Sequence, residues 1–548
     1  MHNLLILFFF YLIILISTLG FGFLITSKNE KEISLGIVGL KGIFILILLS
    51  YVTNFFVKHN FIHNSIIILI GLYLFASNFK IKNYLNNYKL IFILVLISFL
   101  GILIYKNHDD FFYYHFGYTL SLVNFTKIIG IGNLEHGFRT PSSIFYLNSL
   151  YYLPGINYFM MHSGASLFMI FSNIFFLEKI FKSKINNKNI FILFLSLFSF
   201  IFVNTVFSRI SEHGTDRSAL ILIFVLSIIF LESINNKNKN FNNFKNYYDK
   251  ILIILFLIIS LKVFYLIYLI FLFLFLYEYN TVLKDTSNQK KILIDKFTIL
   301  FCSGLFLVIF TMFLNTGCLI YPASFTCFDK VSWAIQIDEV KKMQEWYELW
   351  SKAGASPLYR VENPSDYIKN FNWTSNWITN YFFSKVSDFI LVLILILITV
   401  FSFFNSGLQR FTKIKFKFFY VILLLLFFEW FYNHPSLRYG GYSVIALLLF
   451  IPMSVYLSNV YKTENILKKF RILILISILV FISKNVARIV DENLKYGYQP
   501  LKVPYYNINK KLFNYDEILS KLNRASAKKN NSKLLIINKE LLKEVEKN

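Results

Sequence analysis

Apolar segments separated by short polar connectors recur along the whole chain. Many of these segments have about 18 to 22 residues, the length that spans a bilayer as a helix, and a chain inside lipid must satisfy its backbone hydrogen bonds internally. The pattern therefore predicts an all-α, polytopic membrane protein with about 14 transmembrane helices. The predicted spans are residues 4–25, 35–57, 65–78, 90–105, 158–177, 190–207, 218–231, 251–261, 263–277, 297–314, 386–404, 418–431, 442–460 and 471–490.

The charges of the connectors predict how these spans are oriented. Seven short connectors share one side and carry roughly 25 Lys and Arg, whereas the short connectors on the other side carry roughly 5. Basic connectors favour the cytoplasm, so both termini are expected outside it. Residues 251–261 and 263–277 could instead form one long helix, but that helix would place the last three basic connectors outside. We therefore predict a bend at Lys262.

The composition agrees with this class and accounts for the positive charge. Hydrophobic residues make up 56% of the 548 residues, charged residues make up 16%, and the mean hydropathy is +0.57. The net charge of +25 follows mostly from the basic connectors, and no nucleic-acid motif accompanies it. The three cysteines and nine histidines lack the spacing of a zinc site. We therefore expect the lipid bilayer as a partner, no nucleic acid and no metal-ligand residues.

Unusual polar residues collect at the predicted extracytoplasmic ends of the spans. They are Asp109 and Asp110 after the fourth span, Glu212, His213, Asp216 and Arg217 between the sixth and seventh, Lys262 at the bend, and His434 and Arg438 between the twelfth and thirteenth. Paired carboxylates at a membrane boundary can act as a general base, because burial and neighbouring negative charge raise their proton affinity. Arginine suits the recognition of phosphate. The structural alternatives are a solvated helix end for the acids, a polar turn for residues 211–217 and interfacial snorkelling for the cations.

Two long segments on the same predicted side can hold structure of their own. Residues 106–157 predict two amphipathic helices along the membrane interface, the second starting at the TPSS sequence. Residues 315–385 contain five of the six tryptophans, which favour either an interfacial anchor or a stacking platform for sugar rings. Cys318 and Cys327 flank Pro322 in this segment, and the oxidising side of the membrane predicts a disulfide between them.

These motifs give the chain a resemblance to a known superfamily. HDDFFYYH after the fourth span, two interfacial helices and SEHGTDR two spans later resemble the GT-C superfamily, multi-span glycosyltransferases that take sugars from polyprenyl-phosphate carriers. The resemblance implies an inverting transferase in the bacterial inner membrane with an extracytoplasmic active face. It implies Asp109 or Asp110 as the catalytic base and Asp216 as the second loop acid. The candidate residues for binding the donor phosphate are Arg217, Lys262, His434 and Arg438.

The same resemblance implies the partners and the domain boundaries. The partners would be a polyprenyl-phosphate sugar donor and a glycan or lipid acceptor, and the use of a divalent metal stays open. The acidic motif follows the first span in GT-C proteins but the fourth span here, so residues 1–89 are expected to be a three-helix N-terminal extension. Residues 90–314 would be the GT-C-like module, 315–385 the Trp-rich loop, 386–490 the C-terminal helices and 491–548 a polar tail. The chain also resembles an uncharacterised group of large bacterial membrane proteins that share the GCLIYPxxFTCF and NHPxLRYGG patterns.

Two other functions stay open at this point. An O-antigen ligase or polymerase would also have many spans, a large late outer loop and functional arginines, but the early acidic pair favours the transferase. A transporter or flippase would need charges near the membrane midplane and often has repeat symmetry, and the sequence suggests neither.

Overall fold

The computed structural model describes residues 2–26, 34–79, 88–108, 110–182, 190–235, 240–355, 361–404, 416–460 and 465–507. Throughout these ranges the chain is helical and contains no β-strand; isolated bridges join Leu153 to Asn157 and Cys318 to Cys327. The α-helices are α1 (His2–Ile25), α2 (Leu35–Phe56), α3 (Phe61–Asn78), α4 (Tyr88–Ile102), α5 (Phe116–Asn124), α6 (Ser143–Ser149), α7 (Gly164–Lys182), α8 (Ile190–Val206), α9 (Gly214–Asn235), α10 (Phe241–Leu261), α11 (Ile270–Glu278), α12 (Asn280–Leu283), α13 (Thr286–Leu293), α14 (Lys296–Thr316), α15 (Ile337–Lys352), α16 (Pro364–Tyr367), α17 (Thr374–Trp377), α18 (Ser387–Phe404), α19 (Lys417–Asn433), α20 (Gly441–Val460) and α21 (Ile466–Tyr496).

Each predicted span overlaps one of these helices, although the bounds differ: α7 begins at Gly164 rather than residue 158, and the span 263–277 begins with the 3₁₀ turn Val263–Leu269. Eight helices in the described ranges are long and apolar enough to cross a membrane, namely α1, α2, α3, α7, α9, α14, α20 and the continuous helix Thr374–Phe404, which contains α17 and α18. Shorter apolar helices correspond to α4, α8 and residues Val263–Glu278. The protein is therefore all-helical and fits a polytopic membrane protein, while the number of about 14 crossings stays a prediction.

The helices differ in how far the protein itself covers them. Over their most apolar 18 residues, α2, α7 and α9 are 83% buried, whereas α3 is 22% buried and Thr374–Phe404 is 28% buried. Every residue of α10 from Ile251 to Leu261 is also buried. α8 is buried throughout residues 190–204 as well. The centre of the bundle therefore consists of α2, α7, α8, α9 and α10, and the outer helices present the apolar faces that a bilayer would cover.

The helices of the predicted extension pack directly on this centre. A Cβ atom at Gly42 in α2 would lie 1.8 Å from the carbonyl oxygen of Thr18 in α1, and one at Gly36 would lie 2.4 Å from the backbone nitrogen of Phe175 in α7. Small residues allow helices to approach this closely. The contacts of α2 therefore join residues 1–89 to the rest of the bundle.

Lys262 separates two antiparallel helical segments. α10 ends at Leu261, and Lys262 has an extended backbone (φ −156°, ψ 114°) before the 3₁₀ turn Val263–Leu269 leads into α11. The ring centroids of Phe244 near the start of α10 and Phe275 near the end of α11 are 5.3 Å apart, whereas one continuous helix would separate these residues by about 46 Å. The chain therefore bends where the charge pattern predicts, and the alternative of one long helix is wrong.

Residues 106–157 contain the two predicted helices, but both of them are covered by protein, and every residue of α6 is buried. A π-helical turn, Phe111–His115, leads into α5, and α6 begins after Ser142, whose hydroxyl accepts the N–H of Ile144 at 3.4 Å. All residues of α5 except Asn124 are buried. A separate apolar cluster that includes Tyr158, Met161 and Tyr506 encloses the start of this helix. The expected contact of these two helices with the membrane interface is therefore wrong, because other segments of the chain cover the faces that would meet it.

Candidate functional site

Four segments that are distant in sequence bring charged side chains together at one end of the bundle. Asp216 lies in the first turn of α9, and Lys262 follows the last residue of α10. Arg438 lies in the 3₁₀ turn Leu437–Tyr439 between α19 and α20, and Asp110 immediately precedes the π-helical turn Phe111–His115. We call these four residues the charged cluster.

Asp216 is the centre of the charged cluster. Its side chain is 4% exposed, and each carboxylate oxygen accepts from a different cation: Oδ1 lies 2.6 Å from the Lys262 Nζ atom, and Oδ2 lies 2.7 Å from the Arg438 Nε atom. A buried carboxylate is costly unless it is paired and hydrogen-bonded. Both carboxylate oxygens of Asp216 therefore have the charged hydrogen-bond partners that a buried carboxylate needs.

Arg438 connects the buried carboxylate to a more accessible one. Its Nη2 atom lies 3.4 Å from the Oδ2 atom of Asp110, whose side chain is 29% exposed. The same Asp110 oxygen lies 3.4 Å from the Nδ1 atom of His108, and the backbone N–H of Asp110 donates to that nitrogen at 3.2 Å. The neighbouring predicted residue, Asp109, lies outside the described part of the chain. One guanidinium thus bridges a buried acid and a half-accessible acid.

Aromatic rings cover the two cations. The Lys262 Nζ atom lies 4.2 Å from the ring centroid of Tyr439, and the Arg438 guanidinium lies 5.5 Å from the ring of Trp350. These distances allow cation–π attraction. The hydroxyl of Tyr265 also donates to the Arg438 carbonyl oxygen at 3.4 Å. The charged cluster is therefore held by rings from α15 and from the chain that follows α10.

Burial and charge set the protonation of the groups around the cluster. Burial opposes the charge of Arg438, but Asp216, Tyr439 and Asp110 overcome this and raise its pKa well above the ordinary value. Burial lowers the pKa of Lys262, although the Asp216 carboxylate opposes that effect. Burial, followed by the charge of Asp110, raises the pKa of Tyr114 well above its usual range. The phenol of Tyr114 is therefore neutral beside the carboxylates.

His434 lies beside the charged cluster rather than on its carboxylates. Its Nδ1 atom is 3.3 Å from the hydroxyl oxygen of Ser351, and its ring centroid is 5.8 Å from that of Tyr439. Burial, with the positive charges of Lys352 and Lys262, lowers the pKa of His434 to about 4. The imidazole is therefore neutral near pH 7.

Arg217, which the sequence places beside Asp216, turns elsewhere. Its Nη1 atom donates to the backbone carbonyl of Arg209, and its charge acts on Tyr442. Adjacent positions of a helix do not face the same way, so Asp216 and Arg217 cannot both point into one site from the start of α9. The backbone of Glu212 and His213 forms a 3₁₀ turn, Ile210–His213.

The Trp-rich segment supplies one ring to the charged cluster and several to packing. Trp373 is fully buried, and the Nε1 atom of Trp377 donates to the Pro435 carbonyl oxygen at 2.8 Å. The Trp333 Nε1 atom donates to the backbone of Phe313 at 3.1 Å. Trp350 alone among the five is positioned on Arg438 in the described contacts. Trp350 therefore contacts the charged cluster, while the interfacial anchor and the stacking platform both stay predictions.

A second ion pair fixes α15 over the first long segment. Arg139 donates from Nη2 to the Glu339 Oε1 atom at 2.6 Å, from Nη1 to the Tyr321 hydroxyl at 3.3 Å, and from Nε to the Gly132 carbonyl at 2.9 Å. Cys318 and Cys327, close to Tyr321 in sequence, are joined by a disulfide, as the sequence predicts for this pair. These contacts hold the helix that carries Trp350. Arg139 was not among the predicted site residues. Its signal in the sequence was its place on the predicted extracytoplasmic side of the membrane, where the short connectors carry few basic residues.

The described residues contain no group of three or more His, Cys, Asp and Glu side chains arranged to hold a metal ion. His108 lies 3.4 Å from the Asp110 carboxylate of the charged cluster, and their neighbour Asp109 lies outside the described residues. A divalent metal therefore stays an open question for this site.

Comparisons with known proteins identify a family without an activity. No curated protein and no solved structure matches the chain. A family model described as "Domain of unknown function (DUF8201)" matches residues 3–446, a range that includes every residue of the charged cluster. Since this match covers most of the 548 residues, the chain belongs to the family described as Domain of unknown function (DUF8201).

Proposed function

We propose that this protein is an integral membrane glycosyltransferase that moves a sugar from a polyprenyl-phosphate donor to a glycan or lipid acceptor. The proposal places the reaction on the extracytoplasmic face of the bacterial inner membrane, where the charged cluster would meet phosphates that emerge from the lipid. Its support comes from the chemistry of the charged cluster, together with the resemblance of the acidic motifs to the GT-C superfamily.

The observation that carries the proposal is the position of Arg438. Its guanidinium lies 2.7 Å from one carboxylate and 3.4 Å from another, more exposed one. A phosphate leaving group requires a cation, and an acceptor hydroxyl requires a base within hydrogen-bond reach. Arg438 and Asp110 meet both requirements within one hydrogen-bonded unit.

The roles of the residues follow from their burial. Asp216 has both oxygens occupied by Lys262 and Arg438, so in this proposal it is a positioning residue that aims the two cations. Asp110, or its neighbour Asp109, is the base. The acceptor oxygen bonds to the anomeric carbon as the bond from that carbon to the phosphate oxygen breaks. The hydroxyl proton passes to the carboxylate, and the electron pair leaves with the phosphate, whose charge Arg438 and Lys262 stabilise.

Removal of the base tests the proposal. Asp109→Asn and Asp110→Asn, singly and together, should lower sugar transfer from labelled polyprenyl-phosphate sugars by roughly 10²–10⁴ in rate, with little change in donor binding. Arg438→Lys should weaken both donor binding and turnover, because lysine cannot replace the guanidinium fork. The assay uses the purified full-length protein in lipid nanodiscs.

A matched acidic variant controls for general effects of charge. Asp366 lies in the Trp-rich segment, is 68% exposed and pairs with Lys369 at 3.0 Å; Asp366→Asn should keep wild-type activity. Full activity in both single variants and in the double variant would exclude a carboxylate base at residues 109–110. Transfer of a preassembled glycan instead of a single sugar would favour the ligase or polymerase. Solute movement across vesicles without any sugar transfer would favour a transporter.

A further inference from the structure

A second group of charged side chains lies at the opposite end of α10. The 21 residues of this helix separate its ends by about 30 Å, the thickness of a bilayer hydrocarbon core. At the end remote from Lys262, a cavity of about 560 Å³ opens between α10, α13 and the start of α14. Its lining includes Phe241, Lys245, Lys290, Lys291, Asp295 and Lys296. We call this space the lysine cavity.

The single carboxylate that lines the lysine cavity is already engaged. The Oδ1 atom of Asp295 lies 2.5 Å from the Nζ atom of Lys245, and its Oδ2 atom accepts the backbone N–H of Phe297 at 3.0 Å as the N-cap of α14. Lys290 and Lys291 form no ion pair with a carboxylate among the described residues. Two further carboxylates interact with the lysines from outside the lining: Asp285 with Lys291, and Asp249 with Lys245 and Lys296. The four lysines still outnumber these three carboxylates, which favours an anionic ligand.

An exposed apolar surface begins at the same place. Leu293 and Ile294 are 71% and 75% exposed at the cavity, and Ile299 and Phe306 are 54% and 63% exposed further along α14. Ile299 and Phe306 are seven residues apart, so they share one face of the helix. α14 is 39% buried over its most apolar 18 residues. A positively charged cavity thus continues into a strip of uncovered hydrocarbon along a helix long enough to cross the membrane.

We propose that the lysine cavity binds the phosphate headgroup of an anionic phospholipid, whose acyl chains lie beside Ile294, which precedes α14, and along the Ile299 and Phe306 face of that helix. Lys290 and Lys291 supply the charge for the phosphate, and Phe241 shields it, since its ring lies 5.5 Å from the Lys291 Nζ atom. Basic cavities between helices at the cytoplasmic end of a membrane protein suit such headgroups. The apolar strip selects a lipid over a free phosphate compound, because only a lipid fills both parts of the site.

The test compares two double variants that remove the same charge from the same end of the bundle. Lys290→Gln with Lys291→Gln changes the cavity. Lys417→Gln with Lys468→Gln is the matched control, because these exposed lysines lie at the starts of α19 and α21, outside the cavity. Calorimetry on the purified full-length protein in detergent measures binding of dioctanoylphosphatidylglycerol, dioctanoylphosphatidylcholine and inorganic phosphate.

The wild type and the control should bind the phosphatidylglycerol more tightly than the phosphatidylcholine. The cavity variant should lose roughly 30-fold in affinity for phosphatidylglycerol, since each lysine near an anionic headgroup contributes about a factor of five. Equal losses in both double variants would mean that the lysines act only as a general positive surface and would overturn the site. Binding of inorganic phosphate as tight as that of the lipid would overturn the lipid assignment. Sugar-transfer activity does not enter this test, so its outcome is independent of the proposed function.

Discussion

The two ends of α10 hold positive charge in different ways. At the end with Lys262, two cations share one buried carboxylate, aromatic rings cover both of them, and the partners come from segments as far apart as residues 110 and 438. At the end with Lys245, the lysines come from α10, α13 and the start of α14, all within residues 245–296, and Lys245 itself is 47% exposed. Desolvated charges need specific partners, whereas exposed lysines at a membrane boundary need only water and lipid headgroups.

This difference separates a cluster of paired, buried charges from a cavity lined by more exposed lysines. The positive-inside rule explains lysines at the second end without reference to their positions within the fold. No such rule explains an aspartate that is 4% exposed and accepts from a lysine and an arginine 176 residues apart, at positions 262 and 438. The charged cluster therefore depends on the tertiary structure, and single substitutions there should have larger effects than substitutions of exposed lysines.

The largest effect is expected from Asp216→Asn. The amide cannot neutralise Lys262 and Arg438, so two partly buried cations lose their shared counter-charge. We expect the free energy of unfolding to fall by about 3 kcal/mol, the lower end of the range for breaking a buried pair, because both cations keep some contact with water. Thermal unfolding of the purified protein in detergent measures the change.

The control for this variant is an acid that the fold does not bury. Glu345 is half-buried on α15 and Asp366 is exposed, so Asp366→Asn is the cleaner choice and should stay within about 0.5 kcal/mol of the wild type. If Asp216→Asn unfolds at the wild-type temperature, the charged cluster does not contribute to stability. The burial of paired charges would then not distinguish the two ends of α10.

Much of the fold follows from the sequence because lipid imposes a simple requirement on the chain. Spans need continuous apolar residues, so the predicted segments coincide with helices, and the charge pattern placed the bend at Lys262. The burial of α5 was not predictable in the same way. Its sequence is amphipathic, and only the return of later segments such as the one with Tyr506 covers the remaining face.

The site was partly predictable for a similar reason. Basic residues are few in the short connectors on the predicted extracytoplasmic side, and Asp216, Lys262 and Arg438 stand out there as ionisable residues at span ends. The structure brings these three together. Trp350 was one of five tryptophans in a segment that the sequence did single out, but nothing in the sequence distinguished it from the other four. Tyr439 did not stand out, because it is one of 35 Tyr. Contacts between residues so distant in sequence have no local signal.

The second-largest effect on stability is expected from the titration of His434, which lies beside the charged cluster at the buried end of α10. The folded pKa of His434 is about 4, below the ordinary value of 6.5, so between these values the unfolded chain binds a proton that the folded protein excludes. The stability from this group is present above about pH 6.5 and is lost as the pH falls toward 4. At pH 5 the loss should be about 1 to 2 kcal/mol.

His434→Gln removes the titrating group and keeps a side chain that can hydrogen-bond to Ser351, the partner of the imidazole. Thermal unfolding at pH 7.5 and at pH 5.0 should show a smaller decrease for the variant than for the wild type. An identical decrease in the two proteins would mean that His434 is accessible to protons in the folded state and that the surroundings of Lys262 are wetter than their burial indicates.

The smallest effect on stability is expected from removal of the Trp350 ring, which lies over the Arg438 guanidinium. Trp350→Leu removes the cation–π partner at 5.5 Å but keeps an apolar side chain, so the free energy of unfolding should fall by about 1 kcal/mol. Trp346→Leu is the matched control, because Trp346 lies on the same helix and is 42% exposed.

Since the loss of packing also contributes, a double-mutant cycle with Arg438→Met isolates the coupling between the two side chains. A coupling of about 1 kcal/mol is expected for Trp350 and none for Trp346. Equal coupling of both tryptophans to Arg438, or no coupling of either, would mean that the Trp350 ring contributes packing and no cation–π attraction. Cation–π contacts would then not distinguish the charged cluster from the lysine cavity.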